Sequence, residues 1–225
     1  MKIKEEAAIQ QPKKSTIKTF TYEDLQTSGV GYEFDKDRML KAFRSMGFNP
    51  LHCIFEFIDN SIDAESTIIK ITWKANKDRN NQFDFGCNDD GCGIEPENMH
   101  PSFCVVGTPV DNYDWDRTGH FGMGGSAGIM NMMESGTADI SSVHNNIYCT
   151  LYITHTREGG MSWGLPKDKI DINSNLPNGT NIKIPTNITG HTDGPIKRSA
   201  SVVYYPHFHR DENFKLEING QNIAF

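Results

Sequence analysis

From Asn49 onward the apolar positions change period several times, and each change marks an element. The stretch PLHCIFEFIDNSIDA places Ile54, Phe57, Ile58 and Ile62 on one half of a helical wheel. Asn49-Pro50 opens this helix, with Pro50 in its first turn. An earlier helix is predicted over residues 35–46, with Asp35 as its cap and Gly47 as its stop. TIIKITW (67–73) alternates with a period of two, as a half-buried strand does, and 82–87 is a second strand. KANKDRNN between them predicts a hairpin-like loop. Residues 101–117 predict a long irregular segment, followed by the glycine-rich GHFGMGGSAG and a short helix to about Glu134. Further on, 137–144 and 146–156 read as a strand pair turning at Asn145 and Asn146. Residues 181–184 and 215–218 are further strands, and 199–205 is helical. Residues 1–20 are polar, carry lysines and show no period, so they are expected to form a flexible arm before one domain over 21–225. Helices, two strands, a glycine-rich loop and helix, then more strands predict an α+β two-layer sandwich.

Composition narrows the class. The 225 residues are 36% hydrophobic, enough for a core, and the net charge of −7 argues against a basic nucleic-acid module. No apolar run is long enough to span a membrane, and the first ten residues do not form a signal peptide. Cys53, Cys87, Cys92, Cys104 and Cys149 are odd in number and contain no C-x-x-C pair. They read as free thiols in a reducing compartment, so an intracellular location, cytoplasmic or nuclear, is expected. Cys87 and Cys92 with His207 and His209 have the wrong spacing for zinc.

The polar side of the helix beginning at Pro50 carries the first candidate chemistry. Glu56, Asn60 and Asp63 are spaced i, i+4, i+7 and stack along one stripe, with Asp59 beside it. Asn is a mediocre helix former, and clustered acids without basic partners repel. A divalent ion with a polyphosphate would satisfy the stripe. A neutral Asn60 oxygen can ligate magnesium, and a carboxylate one turn away can order a water.

Two glycine-rich stretches supply the second part. GHFGMGGS (Gly119, His120, Phe121, Gly122, Met123, Gly124, Gly125, Ser126) nearly matches a P-loop, but Gly125 stands where the P-loop lysine belongs. It also contains a permissive dinucleotide fingerprint, preceded by DNYDWDRT rather than a buried strand. What survives both demotions is an anion site built from backbone N–H groups and a helix start. NDDGCGI places Asp89 after a strand, next to Gly91 and Gly93, where the backbone can pass close to a ligand. A buried carboxylate there could accept a hydrogen bond from an exocyclic amine.

The ordered motifs E-x-x-D-N-x-x-D-A, D-x-G-x-G and G-x-F-G-x-G-G-S, with a later NGT (Asn178, Gly179, Thr180), resemble the GHKL ATPase superfamily. That group includes gyrase B subunits, ninety-kilodalton heat-shock chaperones, histidine kinases and MutL. The resemblance runs from about Leu40 to Ile184 and looks closest to the MORC branch and its bacterial relatives. It implies the Bergerat fold: a mixed sheet, helices on one face, ATP between them and a mobile ATP lid over 101–118. By motif it implies Glu56 as the general base, Asn60 as the magnesium ligand and Asp63 as support beside ribose and phosphates. It further implies Asp89 as the adenine reader with Thr180 assisting, Gly91, Gly93 and Ile94 shaping the adenine pocket, and residues 119–126 wrapping the phosphates.

Two departures stand out. MORC-type proteins often carry a lysine after the phosphate-loop glycines, where this chain has Gly125 and Ser126. Several relatives receive a catalytic basic residue from a following domain, and the chain ends at Phe225. A partner domain or protein is expected to supply it, with Lys197 and Arg198 as candidate substitutes. The expected function is Mg2+-dependent ATP binding and slow hydrolysis, driving lid closure and a nucleotide-dependent homodimer in a DNA-linked process. A nucleotide-sensing module with negligible hydrolysis is the alternative, and histidine-kinase-type phosphotransfer a more distant one.

Overall fold

A computed structural model describes residues 50–75, 83–105, 124–133, 135–155, 161–186 and 193–223. All of them fall in the compact unit Asp35–Phe225. The expected arm, the helix over 35–46 and most of the expected lid lie outside the described residues. Helix α1 spans Pro50–Asp63, and strands β1 (Ile68–Ala75) and β2 (Phe83–Asp89) follow. Next come α2 (Pro96–Cys104), α3 (Gly124–Met132), β3 (Gly136–His144), β4 (Ile147–His155) and β5 (Met161–Gly164). A 3-10 turn at Lys167–Lys169 precedes β6 (Gly179–Thr186), α4 (Asp193–Val203), α5 (Tyr205–Arg210), β7 (Lys215–Ile218) and β8 (Gln221–Asn222).

The described strands form one mixed sheet in the order β5-β4-β3-β6-β2-β1-β7-β8. Only β1 and β7 pair parallel; the other neighbours are antiparallel. The period-two pattern of the sequence becomes a burial pattern. Ile69, Ile71 and Trp73 of β1 are buried, whereas Ile68, Lys70 and Lys74 face out. Phe85, Cys87 and Asp89 of β2 point the same way as the buried β1 residues. On α1 the predicted stripe of Ile54, Phe57 and Ile58 is buried against this face, with Ile62 packed at its margin. Each such side chain, fully buried, contributes on the order of 1.5–3 kcal/mol. The fold is therefore the expected two-layer one, with helices on one face of the sheet.

Between β3 and β4 the turn falls at Asn145 and Asn146, as the sequence indicated. Both have positive φ (49° and 65°), which a two-residue hairpin turn of right twist requires and asparagine tolerates. Three expectations are corrected. Residues 101–104 are not irregular: they complete α2, in which Pro101 sits inside the helix. A proline there removes one ladder bond, but Met99 and Phe103, one turn apart, are buried and hold the helix to the core. Residues 124–126 are the first turn of α3 rather than loop. The predicted helix at 199–205 resolves into two, α4 and α5, with Tyr204 at the junction. Strands β5 and β8 are too short to leave a period in the sequence.

Candidate functional site

The site is assembled where α1 crosses the ends of β2 and β6 and meets the start of α3. Asp89 closes β2 with its side chain turned into the protein, and it is 9% exposed. Its Oδ1 accepts the backbone N–H of Gly91 at 3.0 Å and of Thr180 at 3.1 Å. Its Oδ2 faces the Ser61 hydroxyl at 3.1 Å. That hydroxyl has one proton and a second acceptor, the Phe57 carbonyl at 2.9 Å, so it serves one of the two at a time. Burial pushes the Asp89 carboxyl above the usual range, and the N–H groups of Gly91 and Thr180 and the Ser61 hydroxyl pull it back.

The neighbouring acid has another fate. Asp90 Oδ1 accepts the N–H groups of Thr67 and Ile68 at 2.8 and 2.7 Å, and its Oδ2 accepts the Thr67 hydroxyl. Partial burial pushes the Asp90 carboxyl up, but these bonds outweigh it and leave the group below the usual range. Asp90 thus staples the entry of β1, and Asp89 alone of the pair is turned inward.

The glycines of D-x-G-x-G admit protein as well as space. A Cβ on Gly91 would collide with Ala64 and Ser66, and one on Gly93, whose φ is +75°, would collide with the Val143 carbonyl. The Cys92 N–H donates to the Ala64 carbonyl at 2.9 Å, tying the loop to the end of α1. Ile94 is half-buried and its N–H donates to Ser142 Oγ at 2.8 Å. Ser142 also lies 3.2 Å from Thr180 Oγ1 and 3.1 Å from the Gly179 carbonyl. One buried serine on β3 therefore joins the loop after β2 to the start of β6.

On the α1 stripe, Glu56 and Asp63 are half-buried and Asn60 is exposed. Glu56 Oε2 lies so close to Gly124 that a Cβ there would overlap it. The carboxylate is thereby set against Gly124, the first described residue of α3. Burial pushes the Glu56 carboxyl up, the charge of Asp59 adds to this, and His52 opposes it. The remaining glycines of α3 are packing devices. A Cβ on Gly125 would press on Phe103 and the Ser102 carbonyl, and one on Gly128 would meet the Phe57 ring. Gly125 and Ser126 are buried, and Ser126 Oγ donates to the Val105 carbonyl at 3.2 Å.

The structure thus brings Asp89, Gly91, Gly93, Ile94 and Thr180 together, and places Glu56 beside Gly124. Asn60 lies one turn along α1 from Glu56, and Asp63 ends the helix. Gly119, His120, Phe121, Gly122 and Met123 lie outside the described residues. Asp59 belongs elsewhere: its Oδ1 accepts the Tyr204 hydroxyl at 2.9 Å. Lys197 donates to Gln221 on β8 at 2.7 Å, which ties it to the edge strand. Sequence reasoning missed Ser61 and Ser142. A serine in mid-helix and an inward-pointing serine in an alternating strand were the available signals.

Comparison with known proteins agrees with this fold. The family described as "Histidine kinase-, DNA gyrase B-, and HSP90-like ATPase" matches residues 49–163, just over half of the chain. No curated protein matches. The ATPase region of Saccharomyces cerevisiae topoisomerase II bound to ICRF-187 (dexrazoxane) superposes with a TM-score of 0.51 at 11% identity, over 78% of this chain and 49% of that one. The ATPase and transducer domains of DNA topoisomerase II from Balamuthia mandrillaris give a TM-score of 0.53 at 14% identity, over 77% and 48%. At such identities the likeness shows the fold, and the chain spans about half the length of these structures. The sequence match and the shared fold together make this chain a member of the histidine kinase-, DNA gyrase B- and HSP90-like ATPase family.

Proposed function

We propose that the domain binds Mg·ATP between α1, the loop after β2 and the start of α3, and hydrolyses it slowly. The observation that carries this reading is the placement of Glu56 against the first turn of α3, on the helix whose Ser61 faces the buried Asp89. Asp89 offers an inward carboxylate acceptor for the adenine amino group, and Glu56 a carboxylate beside the described start of α3. Gly91, Gly93, Ile94 and Thr180 shape the adenine end, and Asp63 supports the middle. The N-terminal N–H groups of α3, with residues 119–123, receive the phosphates.

Magnesium arrives with ATP as part of the substrate. The donor set fits that role, because Mg2+ on a polyphosphate takes phosphate oxygens and waters and needs one or two protein ligands. Asn60, exposed and one turn from Glu56, is the residue to provide one. Glu56 takes a proton from the attacking water as the water oxygen bonds to the γ-phosphorus. The bond from that phosphorus to the bridging oxygen breaks, its electrons stay with ADP, and phosphate leaves.

We further propose that the γ-phosphate orders the expected lid and favours a homodimer, in a MORC- or MutL-like DNA-linked process. The motif order and the topoisomerase likeness support this. Calorimetry and phosphate release with wild type, Glu56→Gln and Asp89→Asn test the site. Absence of Mg·ATP binding, or binding left unchanged by Asp89→Asn, would refute it. The binding-only alternative is favoured by one observation: Lys197, a candidate in-chain cation, is tied to Gln221. Binding without measurable phosphate release would select that alternative.

A further inference from the structure

Three consecutive residues at the end of β3 meet three consecutive residues of the loop after β2. The Ile94 N–H donates to Ser142 Oγ at 2.8 Å. Gly93 passes so near the Val143 carbonyl that a Cβ there would overlap it. His144, two residues beyond Ser142 and on the same face of the strand, has its Nδ1 2.7 Å from the Cys92 carbonyl oxygen. A carbonyl oxygen only accepts, so Nδ1 carries a hydrogen. Nε2 lies 2.8 Å from the Asn145 amide nitrogen and 3.5 Å from Glu95 Oε1. The Asn145 amide donates to Nε2 of the neutral ring, which fits the same Nδ1–H tautomer. The hairpin tip that carries His144 is itself anchored. The Asn145 N–H donates to Asn178 Oδ1 at 3.1 Å, and the Ser174 N–H to the Asn146 carbonyl at 2.8 Å.

We propose that His144 is a positioning residue for the adenine end of the site, holding the D-x-G-x-G loop through the Cys92 carbonyl. This rests on the Mg·ATP reading of the site. The peptide that His144 grips is followed by Gly93, whose φ of +75° marks the residue with the widest backbone freedom in the loop. The Cys92 N–H is held by the Ala64 carbonyl at 2.9 Å, and the Ile94 N–H by Ser142. His144 supplies the hold on the peptide between them. Without its donor the loop samples positions that a bound base must exclude, and ordering it on binding lowers affinity. Glu56 lies on α1 and not on this loop, so the chemical step is left alone.

His144→Leu removes the donor. His144→Asn keeps one, because the Asn amide nitrogen stands as many bonds from Cα as Nδ1 does. Amide exchange at Cys92 and Ile94 in the nucleotide-free chain should quicken in His144→Leu and stay near wild type in His144→Asn. Affinity for magnesium with a non-hydrolysable ATP analogue should fall about 2- to 10-fold in His144→Leu, the worth of one hydrogen bond, and recover in His144→Asn. KM for ATP should rise by the same factor, with phosphate release at saturation unchanged. Nitrogen-15 NMR of the wild-type ring should show a hydrogen on Nδ1. A neutral ring with its hydrogen on Nε2, or equal exchange at Cys92 and Ile94 in wild type and His144→Leu, overturns the proposal. So does equal nucleotide affinity in those two proteins, or the same loss in His144→Asn as in His144→Leu. If wild type binds no nucleotide, the Mg·ATP reading fails instead, and the exchange comparison alone decides whether His144 holds the loop.

Discussion

Replacing Asp89 by Asn keeps the shape of the side chain and exchanges one acceptor oxygen for a donor amide. The two backbone N–H groups of Gly91 and Thr180 dictate which end goes where. Both point at Oδ1, at 3.0 and 3.1 Å, so the amide oxygen of the variant must take that place. The NH2 group then replaces Oδ2. Ser61 can adapt, because its hydroxyl can donate to the Phe57 carbonyl at 2.9 Å and accept from the new amide. An adenine amino group cannot, since it would meet a donor with a donor. Leaving one such group unsatisfied costs about 1–3 kcal/mol, or roughly 5- to 150-fold in affinity.

The same change should act in the opposite sense on folding. Burial raises the Asp89 carboxyl above its unfolded value, so the folded state resists ionisation. Stability on this account is full below the unfolded value, near pH 3.9, and falls as the pH rises toward the raised folded value. Asn carries no such slope. The variant is therefore expected to match or exceed wild type in thermal midpoint at pH 7 and to lose that advantage below about pH 4. Calorimetric titration with a non-hydrolysable ATP analogue and magnesium, beside a thermal melt, reads both effects. Equal affinity in the two proteins would refute the adenine assignment. Weaker binding with a collapsed melt would show that the carboxylate is structural.

Three further outcomes follow from the same geometry. Glu56→Gln should lower phosphate release by about 10²–10⁴-fold while nucleotide still binds, so a wild-type rate in steady-state turnover would remove Glu56 as the base. Glu56→Gln and Asp59→Asn should each stabilise the nucleotide-free chain at neutral pH, because burial raises both carboxyls, and the gain should fade on acidification below the unfolded values near pH 4. Denaturant midpoints at pH 7 and pH 4 check this. Gly128→Ala would set a methyl 2.8 Å from the Phe57 ring, an overpacking expected to cost about 1–3 kcal/mol and to lower the melting temperature without touching Asp89.

The sequence made the fold readable wherever one face of an element was apolar. Helix α1 and strands β1, β2, β3, β4 and β7 carry their burial as a period, and the Asn145–Asn146 turn carries its backbone geometry as residue type. The spacing of Glu56, Asn60 and Asp63 along one helical stripe suggested candidate chemistry, whereas the adenine role of Asp89 and the part of Thr180 rested on the family resemblance. Helix α2 was not, because Pro101 reads as a breaker and only the tertiary burial of Met99 and Phe103 overrides it. The glycines of α3 were read as a loop because glycine reports freedom as readily as close packing. Their reason here is the proximity of Glu56, Phe103 and Phe57, residues distant in sequence. Ser61, Ser142 and the Tyr204–Asp59 bond depend on contacts between elements 28, 38 and 145 residues apart, which no local pattern records.

Amide hydrogen exchange of the wild-type chain, with and without magnesium and a non-hydrolysable ATP analogue, tests the central claim most directly. New protection is expected together at the Asp89–Ile94 loop, the first turn of α3 and the start of β6 at Gly179 and Thr180. Protection that leaves these three segments unchanged at saturating nucleotide, or no change anywhere, would contradict a nucleotide site at this place.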